Sequence, residues 1–226
     1  MVPRLLIDRS AIPGEGGELR LMQRGSEFSI MLGNNELMNS RLSGSEEALA
    51  TLSCGKILPR PQPQMLIGGL GMGFTLRAAL ASLGSDASIT VAELVPAVVS
   101  WAQGPMAHIF GESLSDPRVN IRVTDVAHLI SASSANYDAI LLDVDNGPDG
   151  LTRKANDGLY SFTGLKAAER ALRPGGVLAI WSSAPDSAFS QRLRQTGFHV
   201  EEVVERARGG RGGARHIIWL ATKAAN

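Results

Sequence analysis

A single cysteine, Cys54, stands in 226 residues. That excludes an intrachain disulfide framework and any thiolate-rich metal site, and it fits a reducing compartment. Charge of one sign is also lacking: 22 basic and 22 acidic residues balance. There is accordingly no electrostatic reason to expect nucleic acid or an anionic membrane surface as a partner. Long hydrophobic runs are missing too. The first apolar stretch is broken at Asp8 and Arg9, too early for a signal-peptide core, and nothing later approaches membrane-spanning length. A soluble cytoplasmic protein is expected. The four histidines, His108, His128, His199 and His216, show no metal-ligand spacing with one another or with Cys54, so no metal is expected. Neither a Gly-x-Ser-x-Gly elbow nor a Walker-type Gly-Lys-Ser/Thr occurs, which argues against an esterase and a nucleotide hydrolase. Aromatic residues make up only 5% of the chain. Trp101, Trp181 and Trp219 fall on helix or strand positions that read as core, with Trp181 near enough to a strand end to line a pocket.

What is present is a 44% hydrophobic composition, ample for a buried core. The first part of the chain predicts short strands at 4–8, 18–24, 27–32 and 36–39. They are separated by Gly- and Asn-containing turns that tolerate positive φ, the pattern of antiparallel hairpins. Ser45, followed by Glu46 and Glu47, reads as the serine cap and acidic first turn of a helix running to Cys54. The stiff Pro59-Arg60-Pro61-Gln62-Pro63 segment then suggests a boundary, dividing an N-terminal β-hairpin region with one helix (1–60) from a ligand-binding domain (61–226). Beyond it, apolar strands at 64–68, 88–93, 120–124, 138–143 and 177–182 alternate with helices at 74–83, 96–110, 126–131 and 164–172. A helix at 187–196 and two closing strands, 200–206 and 217–222, follow. This alternation predicts an α/β, Rossmann-like, doubly wound and mostly parallel sheet with a C-terminal antiparallel hairpin. The Arg/Gly tract 206–215 is read as the hairpin loop rather than an RNA-binding segment, since no aromatic stacking platform lies beside it.

The chemistry gathers at strand ends. The first strand of the alternation runs into Gly68-Gly69-Leu70-Gly71-Met72-Gly73 and straight into a helix, where a parallel sheet offers backbone amides to a ligand. The spacing is G-x-G-x-G, with Phe74 or Leu76 where a dinucleotide site needs its third glycine, so NAD is disfavoured. Gly69, Gly71 and Gly73 suit an adenosyl group and its amino-acid tail. Glu93 ends the next strand at the distance where a carboxylate accepts both ribose hydroxyls. Asp125, ending the third, sits where a carboxylate and the following amide can read an adenine edge, or can cap the next helix. Asp143 ends the fourth, in Asp143-Val144-Asp145-Asn146-Gly147-Pro148.

On the glycine turn, Glu93, Asp125, the Asp143 loop and Leu172-Arg173-Pro174-Gly175-Gly176-Val177-Leu178, the chain resembles the spermidine synthase family of polyamine aminopropyltransferases, within the wider class of S-adenosylmethionine-dependent transferases. The resemblance implies a donor of the S-adenosylmethionine or decarboxylated S-adenosylmethionine type. It gives Glu93 the ribose and Asp125 the adenine amine. The carboxylate that orients and deprotonates a small amine acceptor, in the family a polyamine, is implied to come from Asp143 with Asp145. A homodimer is implied by analogy. Three departures bear on substrate. Gly71 stands where the family has an aspartate that meets the aminopropyl amine, which points to ordinary S-adenosylmethionine and methyl transfer. The second acid of the loop is one residue nearer, with Asp145 or Asp149 as substitutes. The family's Tyr-His-Glu is here Ser45-Glu46-Glu47, whose acids can still attract a cation. Tyr160 matches a region where the family places an aromatic against substrate, and also reads as core. Methyl transfer to an unrelated small molecule, and a non-catalytic ligand-binding or dimer-forming module, are the alternatives.

Overall fold

The computed structural model describes residues 2–14, 17–144, 147, 157–208 and 212–225. Among these residues the N-terminal part forms an antiparallel meander in the order β1-β2-β3-β4, with β1 Leu5–Ala11, β2 Glu18–Arg24, β3 Glu27–Leu32 and β4 Asn35–Asn39. Its tight turns place Gly25 at φ +62° and Gly33 at φ +55°, which glycine adopts without a Cβ penalty. Alternation along the strands sends Leu19, Leu21, Phe28 and Ile30 to one face, where they join the same apolar cluster as Met65, Ile67 and Leu76 of the second sheet.

Helix α1 (Gly44–Ile57) follows and buries Leu49, Ala50, Cys54 and Ile57. Burial pushes the Cys54 thiol up to about 11, so it packs as an inert small apolar residue. The expected cap is corrected here. Ser43 occupies the cap position without a side-chain bond, and Ser45 lies inside the first turn, fully buried. The Ser45 hydroxyl meets the Glu46 and His216 side chains rather than a backbone amide.

The second sheet has the order β10-β11-β9-β8-β5-β6-β7. Its parallel strands are β5 Gln64–Gly68, β6 Ser88–Glu93, β7 Val119–Val123, β8 Tyr137–Leu142 and β9 Leu172–Ser182. Between them run α2 Phe74–Ser82, α3 Pro96–Gln103, α4 Ala107–Phe110, α5 Val126–Ser131, α6 Asp157–Tyr160 and α7 Phe162–Ala171. Helix α8 (Ser187–Thr196) leads to β10 His199–Arg206 and β11 Arg215–Thr222, an antiparallel hairpin that closes the sheet as expected, with β11 antiparallel to β9. The strand order reverses between β5 and β8, and that crevice is where such sheets bind ligands.

Two elements differ from expectation. The single helix anticipated over 96–110 is divided: Trp101 O accepts from the amides of both Gly104 and Met106, and Pro105 interrupts the ladder. Strand β9 begins at Leu172 rather than Val177, because a register shift opposite Tyr137 and Ala139 lets the Pro174-Gly175-Gly176 segment bulge within the strand.

Polar ties orient the parts. At the amino end of the sheet, buried Asp138 accepts from Arg60 Nη1 at 2.7 Å, Arg173 Nη1 at 2.8 Å and the Gln64 amide at 2.8 Å, fixing the proline-rich linker to β5, β8 and β9. Trp101 Nε1 donates to Asp8 Oδ2 at 2.7 Å, joining α3 to β1. Among the described residues, no helix is long and apolar enough to cross a membrane.

Candidate active site

The glycine turn is bent by three left-handed residues, Gly69 at φ +89°, Gly71 at +50° and Gly73 at +75°. A Cβ on Gly69 would strike the Asp143 carbonyl, and one on Gly73 would strike the Phe110 ring. Both positions therefore require glycine for conformation and for space. At Gly71 the nearest atom to an added Cβ is Met38 Sδ, at 3.0 Å. Met38, from β4, thus brings the N-terminal sheet over the turn.

Glu93 is buried at the end of β6, and its two oxygens accept from Leu70 N and Val95 N, each at 2.9 Å. Burial raises its pKa, and the backbone bonds oppose that rise. The carboxylate braces the turn and borders the cavity that the turn lines. Asp125 caps α5, its Oδ1 accepting from Ala127 N at 2.9 Å, and it also borders the cavity. Gly69, Gly71, Gly73, Glu93, Asp125 and Asp143 are brought together around one cavity, whose floor includes Leu94, Val98, Val126 and Val144. Asp145 and Asp149 lie outside the described residues.

Asp143 follows β8, and its Oδ2 accepts a 2.8 Å hydrogen bond from Thr75 Oγ1 in the first turn of α2. Glu46 lines the same end of the cavity, whereas Glu47 is exposed. Both site carboxyls titrate above their ordinary range. Burial is the main cause in each, and the neighbouring Asp143 charge adds to it at Glu46. Glu46 Oε2 accepts from Ser45 Oγ at 2.7 Å, and Ser45 Oγ lies 2.8 Å from His216 Nδ1 on β11. The Trp181 ring packs against the His216 ring with centroids 4.7 Å apart and lines the cavity. Tyr160, by contrast, is buried edge-on to Phe189 at 5.7 Å in the second apolar cluster.

Sequence reasoning missed Thr75, Met38 and His216. Thr75 had a faint signal, a hydroxyl just after the glycine turn. Met38 and His216 had none, since each reaches the site only through long-range packing.

The cavity is bordered by the glycine turn, the buried Glu93 carboxylate, Asp125 and apolar side chains, and also by the Asp143 and Glu46 carboxyls and the Trp181 indole. The curated relatives include a polyamine aminopropyltransferase of Mycobacterium tuberculosis, 29% identical over 145 residues covering 60% of this chain and 27% of that protein. They also include putrescine N-methyltransferase 1 of Nicotiana tabacum, 35% identical over 133 residues covering 58% of this chain and 33% of that one. The chain therefore spans about a third or less of the length of these two relatives. Among solved structures, spermidine synthase from Thermotoga maritima superposes with a TM-score of 0.76 at 17% identity, covering 98% of this chain and 74% of that one, which shows a shared fold. The family model described as the spermine/spermidine synthase domain matches residues 46–198. On that match, from the first turn of α1 to the residue before β10, the chain belongs to the spermine/spermidine synthase family.

Proposed function

We propose that the chain is a transferase that binds an S-adenosylmethionine-type sulfonium donor and moves a methyl or aminopropyl group onto the amine of a polyamine-like acceptor. The observation that carries this reading is the convergence of the glycine turn, Glu93, Asp125 and Asp143 on one cavity. The family membership supports it, as do relatives named for both kinds of transfer.

The step follows from the donor's chemistry. The amine lone pair attacks the carbon on the sulfonium sulfur, forming C–N as C–S breaks, and the bonding electrons return to sulfur as a neutral thioether. The nitrogen must be neutral to attack, and Asp143 is the base that takes its proton. Its raised pKa brings it nearer the working pH, where a base is most effective. Glu93 would hold the ribose, Asp125 the adenine edge and the turn amides the donor's tail, so that carbon and nitrogen meet in line.

Methyl transfer is the favoured version. The apolar Met38 thioether stands against Gly71, where the resembling family has a carboxylate for the aminopropyl ammonium. Calorimetry with S-adenosylmethionine and its decarboxylated form, followed by turnover with putrescine, tests both points. Tighter binding of S-adenosylmethionine and methylated putrescine are expected. Failure to bind either donor overturns the reading, and binding without turnover of any amine makes the chain a non-catalytic member of its family.

A further inference from the structure

The cavity has two unlike kinds of lining. Every lining residue with a carboxyl or hydroxyl side chain lies at Glu46 or later in the chain, as do Glu93, Asp125 and Asp143. The chain ahead of α1 contributes only Ile12, Leu19, Ile30, Leu32, Leu37 and Met38, so the wall supplied by the N-terminal sheet is wholly apolar. Strand pairing sets Leu19 directly opposite Leu32. Ile12 comes up beside Leu32: a Cβ on Gly17 would lie 3.3 Å from Leu32 Cδ1 and 3.5 Å from Ile12 Cδ1. Ile12, Leu32, Leu37 and Met38 pack on the main apolar cluster yet stay only part-buried. An apolar occupant of the cavity would take their remaining surface out of water, which is favourable in proportion to the area covered.

This wall begins close to Asp143. Met38 Sδ stands 3.0 Å from the position of a Cβ on Gly71, and the Asp143 carbonyl meets one on Gly69. Gly69 and Gly71 are two residues apart, at most about 7 Å along the chain. In the transferase reading the donor's adenine edge, ribose and tail fall to Asp125, Glu93 and the turn amides, and a charged tail gains nothing from aliphatic neighbours. A linear polyamine fits the wall no better. An ammonium laid against it would lose its water and find no counter-charge there. Asp143 suits the reacting nitrogen, and the wall suits carbon.

We propose that the acceptor is an amine with an apolar body, its nitrogen at Asp143 and its hydrocarbon part against the wall formed by Ile12, Leu32, Leu37 and Met38. The proposal rests on the transferase reading and adds to it what lies beyond the reacting nitrogen.

The test compares amines that differ only beyond the reacting nitrogen. Butylamine, hexylamine and 1,6-diaminohexane are titrated by calorimetry into wild-type protein saturated with S-adenosylhomocysteine, so that no turnover occurs. Hexylamine should bind about tenfold or more tightly than butylamine, in line with about fourfold per methylene taken out of water. It should also bind at least about threefold more tightly than 1,6-diaminohexane, which has the same chain ending in a second ammonium. Leu32→Asn and Leu37→Asn should each cut the gain from butylamine to hexylamine to about threefold or less. Their S-adenosylmethionine affinity is expected to stay within about twofold of wild type. Leu32→Met, which keeps an apolar side chain of similar volume, should retain the gain. Equal binding of hexylamine and butylamine by wild-type protein overturns the proposal, as does tighter binding of 1,6-diaminohexane or no binding of any amine beside a bound donor. A gain that survives both asparagine substitutions places the hydrocarbon elsewhere and overturns it too. Loss of donor affinity in both asparagine variants, with the fold intact by circular dichroism, would give the wall to the donor instead. Putrescine methylation by wild-type protein alongside any of these results leaves the transferase reading standing without the proposal. If wild-type protein binds no donor, that reading fails and the proposal falls with it.

Discussion

Thr75 Oγ1 donates a 2.8 Å hydrogen bond to Asp143 Oδ2, tying the first turn of α2 to the carboxyl end of β8 across the cavity. The bond favours the ionised carboxylate against the burial that raises its pKa. In Thr75→Val, which preserves shape, that support is lost and the Asp143 pKa rises further. The acid limb of the kcat/KM profile should move to higher pH, with activity at neutral pH falling on the order of 3–10-fold. A profile superimposable on wild type would remove Asp143 from the role of base.

Gly73 caps α2 at φ +75°, and a Cβ there would strike the Phe110 ring. Gly73→Ala combines left-handed strain with overpacking, and about 2–4 kcal/mol of stability should be lost. At this chain length that corresponds to a melting temperature lower by roughly 5–15 °C. Differential scanning calorimetry checks it.

The Asp138 cluster lies at the opposite end of the sheet from the site. Asp138→Asn leaves Arg60 and Arg173 without their buried counter-charge, though both are part-exposed and can turn to water. A loss of about 2–3 kcal/mol is expected in urea denaturation, below the full penalty for breaking a buried pair. Donor affinity should be unchanged, which distinguishes the scaffold from the site.

Glu46 and Asp143 have raised folded-state pKa values, so in the window above the ordinary carboxylate range the folded protein binds more protons than the unfolded chain. Their contribution is therefore present at acid pH and is lost as pH rises through the folded values toward neutrality. Glu46→Gln should flatten that fall, being relatively more stable than wild type at neutral pH than at acid pH. Denaturation midpoints across the pH range measure it, and a steeper fall in the variant would contradict the assignment.

Most of the architecture was legible because it is written in local patterns. Runs such as Met65-Leu66-Ile67 and Ile140-Leu141-Leu142 are apolar enough to be interior strands, and the turn chemistry between them is short-range. Glu93, Asp125 and Asp143 could be nominated because strand ends face one edge once the alternation is recognised. Ser45 was misread for the converse reason. Serine followed by acids is a capping pattern locally, and nothing nearby reveals that its hydroxyl is needed by Glu46 and by His216, 171 residues further on.

Local residue chemistry thus settled the Rossmann-like sheet, its antiparallel closing hairpin and the glycine turn, since propensity, period and turn geometry act over a few residues. Only tertiary packing decided what stands at each end of the cavity. It brought Met38 over Gly71, Thr75 onto Asp143, and Ser45 and His216 behind Glu46. Those contacts join residues far apart in the chain, and the energy that selects them comes from closing the β4, α1 and β11 surfaces over one shared core rather than from any local preference.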